Sequence, residues 1–437
     1  MPSTFLGLNT GLSGLNFYQA NMHTTAHNIS NADVKGYSRQ TVLSQAADAL
    51  RVNNAYGMMG TGVKATGITQ LRNIYYDTKY HAAQSQYSEY AGAKEQLTQL
   101  QSYLNEMKSE TGYTKLLSEL SSALQDLSSS PADATYRTQF IKSAQNFTDL
   151  IKETGTNYRN TQQDINNEVA IHVDSINSIA SQIYTLNQQI MNIETRSGSA
   201  NDLRDQRELL VDQLSELVNV TVTETPIKYG FGADAVESGA SRYEVRIGNT
   251  VLVDEMECKQ LKVVARQEKV NQNDIDGLYD VYWEGLNQTI GEKFNFNSEN
   301  VTGRIKGLLE VRDGNNANPF SGTITSMATG TGNGSTASVH LSKAISIDQL
   351  NLPESGIITL NCKEYYYDSW EATKDAKGNL TSFIFKNLTV QDETGRRVPA
   401  TFDVATDVGK EAIVGERVDC KGIPYYMTQL NEFARTL

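Results

Sequence analysis

Between Ile165 and Ile193 the hydrophobic period of this chain is 3.5 residues, and after Val220 it is 2. Ile165, Val169, His172, Ile176, Ile179, Ile183, Leu186, Ile190 and Ile193 follow one another by alternating steps of four and three. A seam kept that long predicts a helix from about Ala134 to Thr195 with coiled-coil packing. Gly198 turns the chain, and Leu203, Leu210, Leu214 and Leu217 predict a returning helix from Asn201 to Val218. Upstream, Tyr76, Tyr80, Tyr87, Leu97, Leu100, Leu104 and Met107 mark a helix from Asn73 to about Lys108. A shorter one covers 113–127 and ends at Ser128-Ser-Ser-Pro131.

Past Val220 the pattern is that of strands. Tyr243-Glu-Val-Arg-Ile247, Val251–Val253, Leu261–Val264 and Tyr279–Trp283 lie between Gly, Asn and Asp clusters. Residues 314–422 begin Gly/Ser/Thr/Asn-rich and then give strands at Ile357–Leu360, Tyr365–Tyr367, Ser382–Lys386 and Leu388–Val390. After Pro424, Tyr426, Leu430, Phe433 and Leu437 fall on one helical face. The fold class expected is α+β multidomain: a long α-helical coiled-coil or bundle rod with two inserted, mainly-β domains. The divisions expected are an irregular N-terminal segment at 1–72, a helical rod from 73–220 with 424–437, a β-rich domain at 221–313 and a second at 314–423.

Another seam opens the chain. Leu8, Leu12, Leu15, Met22, Ala26 and Ile29 keep the four-and-three spacing, with Gln19 alone interrupting. Asn28, Ser30, Asn31 and Gly36 then end the helix, because Asn and Ser compete for backbone hydrogen bonds and Gly permits positive φ. A narrow apolar stripe needs something to cover it. Residues 4–42 are therefore expected to be mobile in the free monomer and to order only in an assembly, where neighbours cover Leu8, Leu12, Leu15 and Met22.

The run His27-Asn28-Ile29-Ser30-Asn31-Ala32-Asp33-Val34-Lys35-Gly36-Tyr37-Ser38-Arg39-Gln40 resembles the N-terminal signature of the bacterial flagellar axial proteins, those of rod, hook and hook-associated segments. The Gly36–Gln40 ending and the long helices after it are most similar to the hook-associated junction proteins. Gly60-Thr-Gly62-Val63 with Ile68, and Asn201-Asp-Leu-Arg-Asp-Gln-Arg-Glu-Leu-Leu-Val-Asp-Gln-Leu-Ser215, resemble further blocks of that family. His27 and Val34 depart from the pattern, where Asn and Thr are usual.

The resemblance implies a structural part of the flagellum at the hook–filament junction, needed for filament assembly. It implies self-association in a ring, with the hook protein on one side and a second hook-associated junction protein on the other. It also implies an export chaperone, passage through the flagellar type III apparatus without a cleaved signal peptide, an extracellular location, and further helices beyond Leu437. The residues expected at subunit interfaces are Leu8, Leu12, Leu15, Met22, Ile29, Asn28, Asn31, Gly36, Tyr37, Arg39 and Gln40, with Gly36 at positive φ aiming Tyr37 and Arg39 into the subunit interface of a tubular core. Another axial protein, hook or flagellin-like, and a surface adhesin or peptidoglycan-acting enzyme built on a coiled coil stand as the alternatives.

Other chemistry finds little support. The net charge is −13, which disfavours nucleic acid, since neutralising phosphates takes clustered Lys and Arg. No run of 18 apolar residues exists, so no membrane span is expected. Cys258, Cys362 and Cys420 are too few and too scattered for a disulfide framework or a metal site. His23 and His27 lie one helical turn apart without a nearby third ligand. His172 reads as a register residue in its seam, and Gly330–Ser335 lacks the Lys-Ser/Thr of a phosphate loop. Asp202 and Asp205 read as a solvated helix face. No enzymatic activity, cofactor or metal is expected.

Overall fold

The computed structural model describes residues 5–51, 57–104, 112–196, 198–229, 236–285, 289–298, 300–330, 334–391 and 396–436. The end of the helix expected at 105–108, the centre of the Gly330–Ser335 loop and Leu437 lie outside them. The chain is mixed α+β. It divides into two compact units, residues 1–87 with 174–261 and residues 88–173 with 262–437. The units do not follow the sequence divisions at 72 and 220, because two long helices pass from one into the other. The stretch 221–313 likewise contributes to both.

The first unit opens with α1 (Leu6–Ser30) and an antiparallel pair, β1 (Gln40–Ala46) and β4 (Val63–Gln70), with the short pair β2 (Leu50–Arg51) and β3 (Met58–Met59) between them. Next come the start of α2 (Ile74–Tyr103), the end of α4 (Ala134–Glu194), and α5 (Asn201–Leu217). An antiparallel sheet follows in the order β5 (Val220–Tyr229), β6 (Val236–Ile247), β7 (Thr250–Val253). In this unit α4 buries Ile176, Ala180, Ile183, Asn187 and Ile190. Asn177 ties it down by matching the main chain of one residue: Nδ2 donates to Leu261 O and Oδ1 accepts from Leu261 N, both at 2.8 Å.

The buried stripe of α4 differs from the expected seam. Ile165, Val169, Ile176, Ile183 and Ile190 are buried as expected, but the second column runs through Val173, Ala180, Asn187 and Glu194, whereas His172, Ile179, Leu186 and Ile193 sit at the margin. One column of the seam is kept and the other is shifted by one residue. His172 pairs with Glu168 at 3.2 Å, one turn back on the rim.

The second unit holds α3 (Tyr113–Ser129), the first part of α4, the sheet β8 (Leu261–Ala265), β9 (Tyr279–Glu284), β10 (Ile290–Lys293), and α6 (Arg304–Asp313). Its polar centre is Asp313, which takes Arg312 bidentately at 3.0 and 2.7 Å and Arg266 at 2.8 Å. Burial pushes the Asp313 carboxyl up, but the two guanidinium groups outweigh it and hold it well below the usual range. At Asp274 burial and the charge of Asp313 outweigh the hydrogen bond from Asn271 N and the charge of Arg266, and push the carboxyl up to about 6.

Beyond α6 the chain forms an antiparallel barrel from β11 (Phe320–Ala328), β12 (Ser335–Ile345), β13 (Gly356–Leu360), β14 (Lys363–Tyr367), β15 (Ser369–Lys374), β16 (Leu380–Gln391), β17 (Arg397–Pro399) and, after the short α7 (Val404–Asp407), β18 (Glu411–Val414). The order β12-β11-β18-β13-β14-β16 closes because β16 also pairs with β12, which removes a free edge. Phe320, Phe383, Phe385, Tyr367, Val339 and Leu360 fill its interior. The two strands expected at 382–386 and 388–390 are one, with Asn387 at φ +56° where the ladder bends. Finally α8 (Ile423–Thr436) places Leu430 and Phe433 on Tyr113 and Phe147.

Candidate assembly surface

Helix α1 contains no Asp, Glu, Lys or Arg. Its polar and small side faces its own chain. Ser13 Oγ accepts from Val63 N at 3.2 Å, and Thr24 is buried. The chain approaches so closely that a Cβ on Gly62 would lie 2.0 Å from Ser13 Oγ. The opposite side carries the stripe: Leu8, Leu12, Leu15, Met22 and Ile29 are all exposed, from 53% at Leu12 to 74% at Met22. Successive residues are about 100° apart, so Leu8, Leu12 and Leu15 lie about 200° from Leu6, Thr10 and Ser13.

The end of α1 is fastened by a clasp. Asn28 Nδ2 donates to Gln40 O and Asn28 Oδ1 accepts from Gln40 N, both at 2.9 Å. The same Oδ1 accepts from Tyr37 Oη at 2.8 Å. With its one proton so placed, Tyr37 Oη accepts from His27 Nδ1 at 2.9 Å. Asn31 Nδ2 turns back to His27 O. Gly36 has φ +83°, and a Cβ there would stand 3.2 Å from Leu209 Cβ.

The receptor for this block is the start of α5. Ser38 N donates to Asp205 Oδ2 at 3.1 Å, and Gln40 Nε2 to Asp202 Oδ1 at 2.9 Å. Asn201 Nδ2 reaches Gln40 Oε1 and Ile68 O. Burial pushes the Asp205 carboxyl up, against the Ser38 N–H and the Arg72 charge. Burial, then Asp202 and Asp205, push the Tyr37 phenol up. Tyr37 Oη points into the clasp, as does the side chain of Gln40, which is 7% exposed. Arg39 is exposed and receives Leu71 N at its carbonyl. Of the two carboxylates that read as a solvated face, Asp202 is exposed and Asp205 is buried, and both receive this block.

The other sides of α5 fix it in the unit. Arg204 grips Glu194 at 2.7 and 2.9 Å and Glu224 at 2.8 Å. Burial raises the Glu224 carboxyl, but Arg204 outweighs it and holds the net value low. Arg207 is buried against the Tyr243 ring, 3.4 Å from its centroid. Tyr243 Oη donates to Glu208 at 2.9 Å, and His81 Nε2 meets Asp212 at 2.9 Å. Among the described residues no group of three His, Cys, Asp or Glu is placed to hold a metal, and no helix is long and apolar enough to cross a membrane.

Residues 97–334, more than half of the chain, match the family model for the helical domain of flagellar hook-associated protein FlgK. The chain belongs to the FlgK family. Residues 8–37, which hold the exposed stripe and most of the clasp, match the model of flagella basal body rod proteins. Flagellar hook-associated protein 1 of Bacillus subtilis (strain 168) is 31% identical over 250 residues, 56% of this chain and 49% of that protein. Its counterpart in Escherichia coli (strain K12) is 32% identical over 219 residues, 49% of this chain and 39% of that protein. The chain thus spans about half or less of the length of these FlgK-family relatives. The solved structure of the flagellar hook junction protein FlgK from Burkholderia pseudomallei aligns with a TM-score of 0.48 and 18% identity, over 79% of this chain and 64% of that chain.

Proposed function

We propose that this chain is a structural subunit of the bacterial flagellum, without catalytic activity, that joins hook to filament. The observation that carries the reading is α1: its polar side is docked on the chain and its apolar stripe is left open. In a lone subunit such a stripe stabilises nothing, whereas in a tubular array it becomes the buried seam. Leu8, Leu12, Leu15, Met22 and Ile29 take the role of assembly contacts, with Arg39 beside them. Asn28, Asn31, Gly36, Tyr37 and Gln40 hold the stripe at the angle the array needs.

The partners are further copies in a ring, the hook protein below, a second hook-associated junction protein above, and an export chaperone before assembly. Export through the flagellar type III apparatus places the subunit outside the cell. The long helices serve as a stiff, coiled-coil-like rod and the β-rich segments as modules on it.

The test is Leu12→Gln with Leu15→Gln in the chromosomal copy. The expected phenotype is secreted but unassembled subunit, with hooks present and filaments absent. Filaments of normal length at normal secretion would sink the proposal.

A further inference from the structure

Residues 266–274 of the second unit, between β8 and β9, run as a strap from the barrel to the helices beside it. On the barrel side Glu268 takes Arg397 of β17 at 2.8 Å. The carbonyls of Lys269 and Val270 pass so close to Gly356 and Gly415 that a Cβ on either glycine would stand 3.3 or 3.0 Å away. Gln272 N donates to Asn351 Oδ1 at 3.0 Å, and Asn351 Nδ2 donates back to Asn271 Oδ1 at 2.9 Å. On the helix side the strap ends at Asp274. Its Oδ1 accepts from Gln162 of α4 and its Oδ2 from Asn271 N, both at 2.9 Å. Ile275 N closes the joint by donating to Gln162 Oε1 at 3.1 Å. Asn271 and Asp274 are 0% and 1% exposed. Asn271 is the joint itself, since its Oδ1 receives the barrel while its N–H holds the carboxylate.

We propose that this strap is a latch that holds the barrel against α4 and α6, and that proton uptake at Asp274 tightens it. The donors that meet Asp274, Gln162 and Asn271, are neutral amides. Asp313 of α6, in contrast, has Arg312 and Arg266 directly on it. Asp313 repels the Asp274 carboxylate, and Arg266 attracts it, but Arg266 is already shared between Asp313 and Asp280 of β9. Along the strap Glu268 is paired with Arg397, and Lys269 with Asp276 at 3.3 Å. The barrel side brings the amides of Asn351 and Asn315 to Asn271.

The direction follows from what opening does. In the closed latch an ionised Asp274 is a second buried negative charge beside Asp313, and a proton removes that cost. When the strap lifts, Asn271 leaves the carboxyl and water reaches it, so the charge is solvated. The closed latch therefore holds the proton more tightly than the open one, with the closed carboxyl at about 6. The grip is weaker at pH 7 and stronger at pH 5. The barrel stays folded in both states, because β16 closes it by pairing with β12 without help from the strap. What changes is how often it lifts from the helices.

Amide exchange on the whole chain tests this. The N–H groups of Gln272 and Ile275 read the latch, and those of β16 read the barrel. Protection at Gln272 and Ile275, corrected for the intrinsic rate, should lie below that of β16 at both pH values. From pH 7 to pH 5 it should rise about tenfold, the ratio for a carboxyl at about 6 when closed and ordinary when open. Asp274→Asn cannot titrate and should lose that rise. Asn351→Ala cuts the strap from the barrel without touching Asp274; it should lower protection at Gln272 at both pH values and keep the rise, which tests the latch even if Asp274→Asn does not fold. A parent whose protection is flat or falls toward pH 5 overturns the proposal, as does a rise that survives in Asp274→Asn. So does protection at Gln272 that equals that of β16 or is unmoved by Asn351→Ala, since the strap then opens only when the whole unit unfolds.

Discussion

Asn28→Asp changes one atom of the clasp and should open it. The amide orientation is forced: Gln40 N can only donate, so it faces Oδ1, and Gln40 O can only accept, so it faces Nδ2. The carboxylate keeps the bonds from Gln40 N and Tyr37 Oη but sets an oxygen against Gln40 O, at the 2.9 Å now occupied by a donor. Leaving one acceptor unsatisfied costs about 1–3 kcal/mol, and the site is half-buried, so the total expected is about 2 kcal/mol. Asn28→Ala removes three bonds of about 0.5–1.5 kcal/mol each, partly replaced by water, and should cost a similar amount. Amide hydrogen exchange at Gln40 through Ala46 reads the opening, and 2 kcal/mol is about a thirtyfold loss of protection. The pH dependence separates the causes. A protonated carboxyl donates to Gln40 O again, so the introduced group has a raised pKa in the folded chain. Stability lost at pH 7 should then return as the pH falls below that value, whereas Asn28→Ala should show no return. Parental protection of Asn28→Asp at pH 7 would refute the argument.

Gly36→Ala should loosen the same segment by about 1–2 kcal/mol for positive φ, and Gly36→Val by more, since its branched side chain must also pass Leu209; the exchange rates of Tyr37 to Gln40 check the order. Asp313→Asn leaves two buried guanidinium groups without a counter-charge and should cost about 3–5 kcal/mol in urea unfolding. The pH profile of that unfolding should have two opposed limbs. Asp274, raised to about 6, binds its proton more tightly folded than unfolded, so stability should rise as pH falls from about 6 toward 4. Asp313 is depressed, so its contribution is full above the unfolded carboxylate range and should be lost as pH falls below about 4.

The helices α4 and α5 were legible because a helix that buries one side must repeat its apolar residues; α2 kept the period, but it buries His81, Ser85, Ser88, Glu89 and Gln96 and leaves Tyr76, Tyr80 and Tyr87 exposed. The face was less legible than the period. Ile176, Ile183 and Ile190 are buried as the seam implies, but in its other column Ala180 and Asn187 are buried in place of Ile179 and Leu186, Asn187 by donating to Tyr243 O. The clasp was visible only as two separate blocks, the one around Gly36–Gln40 and the one from Asn201. Nothing local joins residues more than 160 apart, so Asp205 read as solvated with Asp202, although it is buried under Ser38. The barrel strands β11 and β12 were hidden by composition. Ser335, Ala337, Val339 and Leu341 do alternate inward, but two of the four are too small to stand out as a hydrophobic pattern. Asn387 split β16 in the reading because a turn-forming residue at positive φ marks a bend as readily as an end.

α1 also sets which energy decides assembly. Five large apolar side chains are mostly exposed, and burying each is worth about 1.5–3 kcal/mol, roughly 7–15 kcal/mol before the entropy of association. The clasp, at about 2 kcal/mol for its central residue, is smaller. A seam of that strength should pull α1 into place even when the clasp is weakened, so Asn28→Asp should lower exchange protection in the free subunit and still be incorporated. Leu12→Gln with Leu15→Gln should do the reverse, leaving the clasp protected and incorporation lost. Filament number per cell at matched secretion, for both variants beside the parent, measures the difference. If Asn28→Asp gives bare hooks while Leu12→Gln with Leu15→Gln gives filaments, the angle held by the clasp governs incorporation and the apolar stripe does not.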